Sequence, residues 1–130
     1  MEFSYNRETK LELTAALTRI KDELAKRGFG VLWELDVPAK LAEKGVQYDG
    51  DFRILEICNP HDAKRALETD PAVGYFLPCK IVLYRRRGRT VVGMPKPTFL
   101  MNALGGSLAD LAARVEGELK DAIDALDGQD

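Results

Sequence analysis

The chain has 130 residues and carries 19 lysines and arginines against 21 aspartates and glutamates, which gives a formal net charge of −2. This length fits one domain, residues 1–130, because a chain of this size buries roughly two thirds of the surface that it exposes when unfolded. Hydrophobic residues make up 45% and charged residues 31% of the chain. That balance excludes a disordered chain, and the slight excess of acid disfavours a general binder of polyanions.

A helix from about Glu8 to Arg27 is the clearest predicted element. Thr9, followed three residues later by Glu12, resembles a capping box at its start. Gly28 suits the left-handed position that follows a helix. The apolar residues recur at steps of three and four and predict one buried face: Leu13, Leu17, Ile20 and Leu24.

Strands are predicted on both sides of this helix. Phe3 and Tyr5 alternate with polar residues as in a short edge strand, and the same alternation continues after the helix from Phe29 to Leu35. A short connecting helix, Ala39 to Lys44, follows Pro38, because proline is tolerated in a first helical turn.

A third strand is predicted from Phe52 to Ile57, and it leads into Cys58-Asn59-Pro60. The side chain of Asn59 can accept hydrogen bonds from the first amides of a following helix, and Pro60 presets its first turn. This helix is expected to end before Asp70-Pro71 and to turn three side chains inward: Ala63, Ala66 and Leu67.

Two apolar runs, Cys79–Tyr84 and Val91–Met94, predict a hairpin across Arg85–Arg89. Ser107 with Asp110 then opens a long amphipathic helix, residues 107–127. The pattern predicts an α+β fold with a single antiparallel sheet, in which the long helices, at about residues 9–27 and 108–126, pack on one face.

The location of the protein is predicted from what the sequence lacks. No apolar run approaches the roughly 18 residues of a membrane span, and the first ten residues are polar, without the apolar segment of a signal peptide. Two cysteines are too few for a fold built on disulfides. We therefore expect a cytoplasmic protein with no membrane partner.

Cys58, His61 and Cys79 are the residues with the most chemical potential. A structural zinc site needs four ligands, so these three would require a water, a substrate or Asp62 as the fourth. Without a metal, Cys58 precedes a helix start whose free amides favour a thiolate, and protonated His61 would add to that effect. The simplest alternative, and the one we favour, is a small buried residue at the end of a strand, which is the commonest role of a free cysteine.

Two further segments have possible anion-binding character. The four arginines around Gly88 could bind phosphate, but no aromatic residue is interleaved for base stacking, so we favour a solvated turn and disfavour nucleic acid as a partner. Gly105-Gly106-Ser107 could hold an anion on free amides, but the same residues form an ordinary joint between helices, which we favour. No recognisable hydrolase spacing, phosphate loop or dinucleotide fingerprint is present, so no cofactor is indicated.

The sequence resembles the domain of unknown function 302 family over nearly its whole length. The distinctive block runs from Ile54-Leu55-Glu56-Ile57-Cys58-Asn59-Pro60 to Leu77-Pro78-Cys79. The resemblance implies a small fold of β-α-β4-α order, similar to the TATA-binding-protein-like class and often homodimeric, and it implies no activity. The family's characteristic positions correspond here to five residues: Cys58, Asn59, Pro60, Pro78 and Cys79.

Three functions are consistent with these observations. The favoured one is a homodimeric binding module without enzymatic activity, in which the exposed part of a curved antiparallel sheet meets a protein partner or a small molecule. The dimer is expected because the last helix has a longer apolar stripe than one small sheet needs to cover. The second is a thiol-dependent redox or metal-binding protein in which Cys58 and Cys79 lie close together at one end of the sheet. The third is a carrier of a small molecule or lipid, because a helix over a curved sheet can leave an apolar cavity. The binding module needs no special residue. The candidate functional site is one group: Cys58, Asn59, Pro60, His61 and Cys79.

Overall fold

The computed structural model describes residues 2–127. Its strands are β1 (Ser4–Thr9), β2 (Gly30–Asp36), β3 (Phe52–Cys58), β4 (Cys79–Arg86) and β5 (Arg89–Pro95). They form one sheet in the order β1-β5-β4-β3-β2, and every neighbouring pair is antiparallel. The predicted α+β class with a single antiparallel sheet is confirmed.

Five helices accompany the sheet. They are α1 (Leu13–Lys26), α2 (Val37–Glu43), α3 (Pro60–Thr69), α4 (Pro97–Met101) and α5 (Ala109–Asp124). Short 3-10 turns at Pro71–Tyr75 and Asn102–Leu104 complete the chain, and the sequence patterns did not indicate these turns or α4. None of the helices between residues 2 and 127 has both the length and the apolar character needed to cross a membrane.

The predicted hairpin between β4 and β5 is confirmed, and its turn has a clear backbone cause. Arg87 and Gly88 both have positive φ, 53° and 76°. Two-residue hairpin turns of the type I′ class require positive φ at both central positions, since their twist matches that of the flanking strands. The arginines around this turn are partly paired: Arg85 contacts Glu12, and Arg89 lies 3.7 Å from Glu8.

One face of the sheet carries the main core. Alternate residues of β3, β4 and β5 are buried there against residues of α1 and α5. The strand register brings these buried residues side by side, since Leu55 pairs with Ile81, and Leu83 pairs with Val92. A second, smaller buried cluster joins α3 to the α4–α5 region: Ala66, Val73, Met101, Leu108 and Ala112.

The start of α1 differs from the prediction. The helix begins at Leu13 rather than near Glu8, and Thr9 is the last residue of β1, where it pairs with Thr90. The predicted capping box is therefore wrong, because the ladder to β5 holds the Thr9 backbone in an extended conformation. The Thr9 hydroxyl instead donates a hydrogen bond of 2.7 Å to Asp127, which helps to hold the turn after α5 against β1.

Two further local predictions are corrected by burial. Ser107 does not cap α5, since the N-cap position is Leu108, which is 2% exposed in the second cluster. Packing of Leu108 thus sets the helix start one residue later. Leu67 does not pack into the core either, since it is 45% exposed. The core beneath α3 is incomplete at the position of Leu67.

The opposite face of the sheet carries apolar side chains that belong to neither cluster. Ile54 pairs with Val82 across the centre of this face, and Phe52 pairs with Tyr84. The rings of Phe52 and Tyr84 are stacked with centroids 5.3 Å apart, and the Tyr48 ring packs edge-on against Phe52 at 6.4 Å. We call this surface the open sheet face, and define it by six residues: Trp33, Leu35, Phe52, Ile54, Val82 and Tyr84.

Gly93 provides a test of the packing between β1 and β5. A Cβ atom there would lie 2.0 Å from Oδ1 of Asn6 and 3.1 Å from the backbone oxygen of Tyr5. We expect Gly93→Ala to lower the free energy of unfolding by about 1–3 kcal/mol, the usual cost of overpacking, as measured by urea denaturation. Gly30→Ala is the matched control, because nothing lies within 4 Å of its added Cβ. Equal losses in the two variants would contradict this account.

Candidate functional site

The junction between β3 and α3 is built as the sequence predicts. Asn59 occupies the N-cap, and its Oδ1 accepts hydrogen bonds from the amides of His61 (3.1 Å) and Asp62 (3.2 Å). Pro60 is the first residue of α3. The cap satisfies two amides that would otherwise lack a partner, so the chain turns from strand to helix at a fixed point.

The end of α1 packs against this junction. Gly28 has a positive φ of 83°, and a Cβ atom there would lie 3.2 Å from the side-chain nitrogen of Asn59. Glycine is therefore favoured at this position for two reasons, the left-handed backbone and the close approach. The turn places Phe29, which is 4% exposed, beside the junction.

Cys58 and Cys79 lie at the same end of the sheet on neighbouring strands. Cys79 pairs with Ile57 in the antiparallel ladder, and Cys58 is the next residue of β3. Both are free thiols and both are half-buried. A cis peptide bond joins Leu77 to Pro78, directly before Cys79.

These residues form part of the wall of an apolar cavity with a volume of about 280 Å³. The cavity lies between the cysteine end of the sheet, α3, α4 and α5. Its wall contains mainly aliphatic side chains and small alanines, and the lining residues are Phe29, Leu32, Ile57, Cys58, Asn59, Asp62, Ala63, Ala66, Leu67, Leu77, Pro78, Cys79, Met101, Leu108, Leu111, Ala112 and Val115. Leu32 and Leu67 are its most exposed members, at 61% and 45%.

The side-chain oxygens of Asn59 and Asp62 in the wall already have partners within the protein. Oδ1 of Asn59 accepts the two cap hydrogen bonds. The carboxylate of Asp62 binds the guanidinium of Arg114 through both oxygens, one of them at 3.3 Å. With these groups occupied, the cavity offers mainly apolar contacts to anything that enters it.

Burial raises the pKa of the Cys79 thiol from its ordinary value of 9.0 to about 11, and the electrostatic influence of neighbouring Cys58 and Asp62 adds to the shift. Desolvation penalises the thiolate, and nearby negative charge penalises it further. Cys79 is therefore a protonated, neutral thiol at pH 7. An activated nucleophile requires the opposite shift.

The structure brings only part of the predicted site together. Cys58, Asn59, Pro78 and Cys79 line the cavity, whereas Pro60 and His61 are exposed on α3 and do not. In the part of the chain that the structure describes, no three histidine, cysteine, aspartate or glutamate side chains are grouped as metal ligands. The Gly105-Gly106-Ser107 segment lies between the second 3-10 turn and α5, as expected for a joint.

Sequence reasoning missed most of the cavity wall. Many of the lining residues that were not predicted come from α3, α4 and α5. Among them, Leu111, Ala112 and Val115 belong to the apolar stripe of α5, which the sequence predicts only as part of the core. The one signal in the sequence is the small size of Ala63, Ala66 and Ala112, at positions where an amphipathic helix usually places larger side chains.

Comparison with known proteins gives a family and a related structure. A family model described as "Domain of unknown function DUF302" matches residues 5–126. A crystal structure of an uncharacterized conserved DUF302 protein from Bacillus stearothermophilus is 40% identical, with a TM-score of 0.91, and the match covers 95% of this chain and 98% of that one. No curated protein matches the chain.

The environment of Cys79 predicts its reactivity with alkylating reagents. In a Cys58→Ala variant, in which Cys79 is the single thiol, we expect iodoacetamide at pH 8 to react at least about tenfold more slowly with the folded than with the urea-unfolded protein, because burial, the largest cause of the raised pKa, remains when the contribution of Cys58 is removed. The folded rate should rise about tenfold per pH unit until the pH reaches the raised pKa of Cys79.

The raised pKa of Cys79 also makes the stability of the protein depend on pH. Because the folded state favours the neutral thiol, Cys79 contributes to the free energy of unfolding in full below the pKa of the unfolded state. This contribution is lost as the pH rises toward about 11. A folded-state labelling rate that already levels off near pH 8.5 would contradict this description of the site.

Proposed function

The chain belongs to the DUF302 family, whose description names no activity, and we propose from its cavity that the protein is a binding module for a small, neutral, apolar molecule. The observation that carries this proposal is the cavity of about 280 Å³ at the junction of β3 and α3. Small-molecule sites are concave and mostly apolar, with few polar groups. The function needs no catalytic residue, which agrees with the absence of a recognisable catalytic spacing in the sequence.

The size of the cavity limits the ligand. An engineered protein cavity of roughly 150 Å³ accepts benzene, which has six carbon atoms. Scaling by volume, this cavity has room for an apolar molecule of about 11 carbon atoms. A full-length membrane lipid is larger than that, so of the two carrier hypotheses the small molecule is favoured over the lipid.

The two thiols support a second candidate function only weakly. Both line the cavity, which is the arrangement that a redox or metal-binding site would use. The pKa of Cys79, raised to about 11 by burial, favours a packed neutral thiol over a reactive one. We therefore treat the cysteines first as part of the binding surface. Two free thiols also agree with a cytoplasmic location, which is part of the proposal.

We also propose that the protein is a homodimer, with the interface on the open sheet face. The stripe of α5 that suggested dimerisation is buried within its own chain, so the last helix needs no partner. The open sheet face carries an apolar surface outside both cores, where an antiparallel sheet exposed to water usually has polar residues. Trp33 and Tyr48 at this surface are 48% and 44% exposed.

The side of the sheet that carries the open sheet face is large enough for a dimer. Five strands spaced about 4.8 Å apart and about 20 Å long give this whole side an area of roughly 480 Å², and the six residues of the open sheet face lie on three of the strands, β2, β3 and β4. Two such faces in contact bury about 1,000 Å², the lower limit for a specific interface. A twofold axis would bring the same patch of both copies together, with Ile54 and Val82 near its centre.

Filling the cavity tests the proposed function. Ala112 lines the cavity, whereas its neighbour Ala113 is exposed on α5 and does not. We expect Ala112→Leu to weaken binding of a ten-carbon hydrocarbon, naphthalene or decalin, by about 10- to 50-fold, since three added carbons displace ligand carbons worth about 0.8 kcal/mol each. Ala113→Leu should bind as the unaltered protein does.

Binding is measured as depletion of the hydrocarbon from the headspace above the protein solution. Ala66→Leu serves as a second cavity-filling variant, from α3, in case Ala112→Leu does not fold. The function is contradicted if the unaltered protein removes neither hydrocarbon, or if the filled and control variants bind equally.

A charge on the open sheet face tests the dimer. We expect Val82→Lys to convert the protein to a folded monomer, because a lysine at the centre of each face would be buried against its symmetry mate. Ala25→Lys, at an exposed position of α1, adds the same charge elsewhere and should leave the mass unchanged. Light scattering at tens of micromolar protein measures the mass, and a monomer in the unaltered protein would refute the proposal.

A further inference from the structure

Sulfur atoms are concentrated on the cavity wall. The whole chain contains two cysteines and three methionines. Three of these five side chains, Cys58, Cys79 and Met101, line the cavity at the junction of β3 and α3. The cysteines come from the sheet end and Met101 comes from α4, so sulfur approaches the cavity from two different elements.

Sulfur has a contact preference that aliphatic carbon lacks. A thioether or thiol at about 5 Å from an aromatic ring, often at the ring edge, gains free energy beyond that of burying apolar area. Phe29 adds an aromatic side chain to the same wall, and pairs of aromatic rings have a further attraction in edge-on or offset geometry. An aliphatic ligand can use none of these contacts.

We infer that the cavity is selective for a planar aromatic molecule of about two fused rings over a saturated molecule with the same number of carbon atoms. This inference rests on the proposed function and names the chemical class of its ligand. The side-chain oxygens of Asn59 and Asp62 are already bound by the cap amides and by Arg114, which directs the selectivity toward neutral rings.

The experiment compares naphthalene with decalin, which have the same ten-carbon skeleton and differ in aromaticity. Each dissociation constant is divided by the compound's equilibrium concentration ratio of water to hexadecane. This normalisation is needed because decalin leaves water more readily than naphthalene for reasons unrelated to the protein. A chelator and a reductant are present, so that metal ions and disulfides do not contribute. We expect the normalised preference for naphthalene to be about two- to twelvefold for each sulfur contact.

Met101→Leu isolates the role of sulfur, because this exchange keeps the side chain apolar and close in volume. It should reduce the preference for naphthalene over decalin by about two- to twelvefold. Met94→Leu is the matched control: Met94 is a buried methionine, 3% exposed, in the main core, and it does not line the cavity. Cys58→Ala, at a half-buried strand end, is a second test that does not depend on the folding of Met101→Leu.

The outcomes separate this inference from the proposed function. A preference for naphthalene that falls in Met101→Leu or Cys58→Ala, but not in Met94→Leu, supports it. Equal normalised binding of naphthalene and decalin to the unaltered protein overturns the inference and leaves the binding function intact. If neither compound binds, both are overturned.

Discussion

The cap that Asn59 forms at the start of α3 is the interaction on which the site depends. β3 is paired on both sides, with β2 and β4, so the position of Cys58 is set by the sheet. Two hydrogen bonds to Asn59 then set where the helix begins. α3 consequently leaves the end of the sheet and contributes a single buried residue, Ala66, to the core. The space between α3 and the sheet is the cavity.

The cavity lies along the boundary between two hydrophobic clusters. Ile57 and Val115 belong to the main cluster, whereas Met101 and Leu108 belong to the smaller one, and all four line the cavity. Protein interiors are normally packed with few voids larger than a water molecule. Here the two clusters meet across alanines of α3 and α5, which are too short to fill the gap. The volume of the cavity is therefore a property of small side chains at specific positions, and adding carbon there tests its role directly.

The sequence predicts those features that depend on neighbours in the chain. The Asn59 cap, the turn at Gly88 and the alternation of the strands each follow from a few adjacent residues, and each is present in the structure. Thr9 shows the limit of such reasoning: its local pattern is that of a helix cap, but pairing with Thr90, far along the chain, makes it part of a strand. Local patterns cannot predict the cavity, because it is an unfilled space between segments that are far apart in the chain, from Phe29 to Val115.

The cavity and the open sheet face differ in the kind of partner that they select. A concave, mainly apolar site excludes large partners and rewards close fit, whereas an apolar sheet face gains free energy from a surface of matching shape. They also lie on opposite sides of the sheet: Cys79 is buried toward the helices, and Val82, three residues later in β4, faces away from them. A second copy seated on Val82 would leave the exposed leucines of the cavity, on the helix side, accessible to a ligand. β4 contributes to both surfaces, so one rigid strand connects the small-molecule site with the proposed subunit interface.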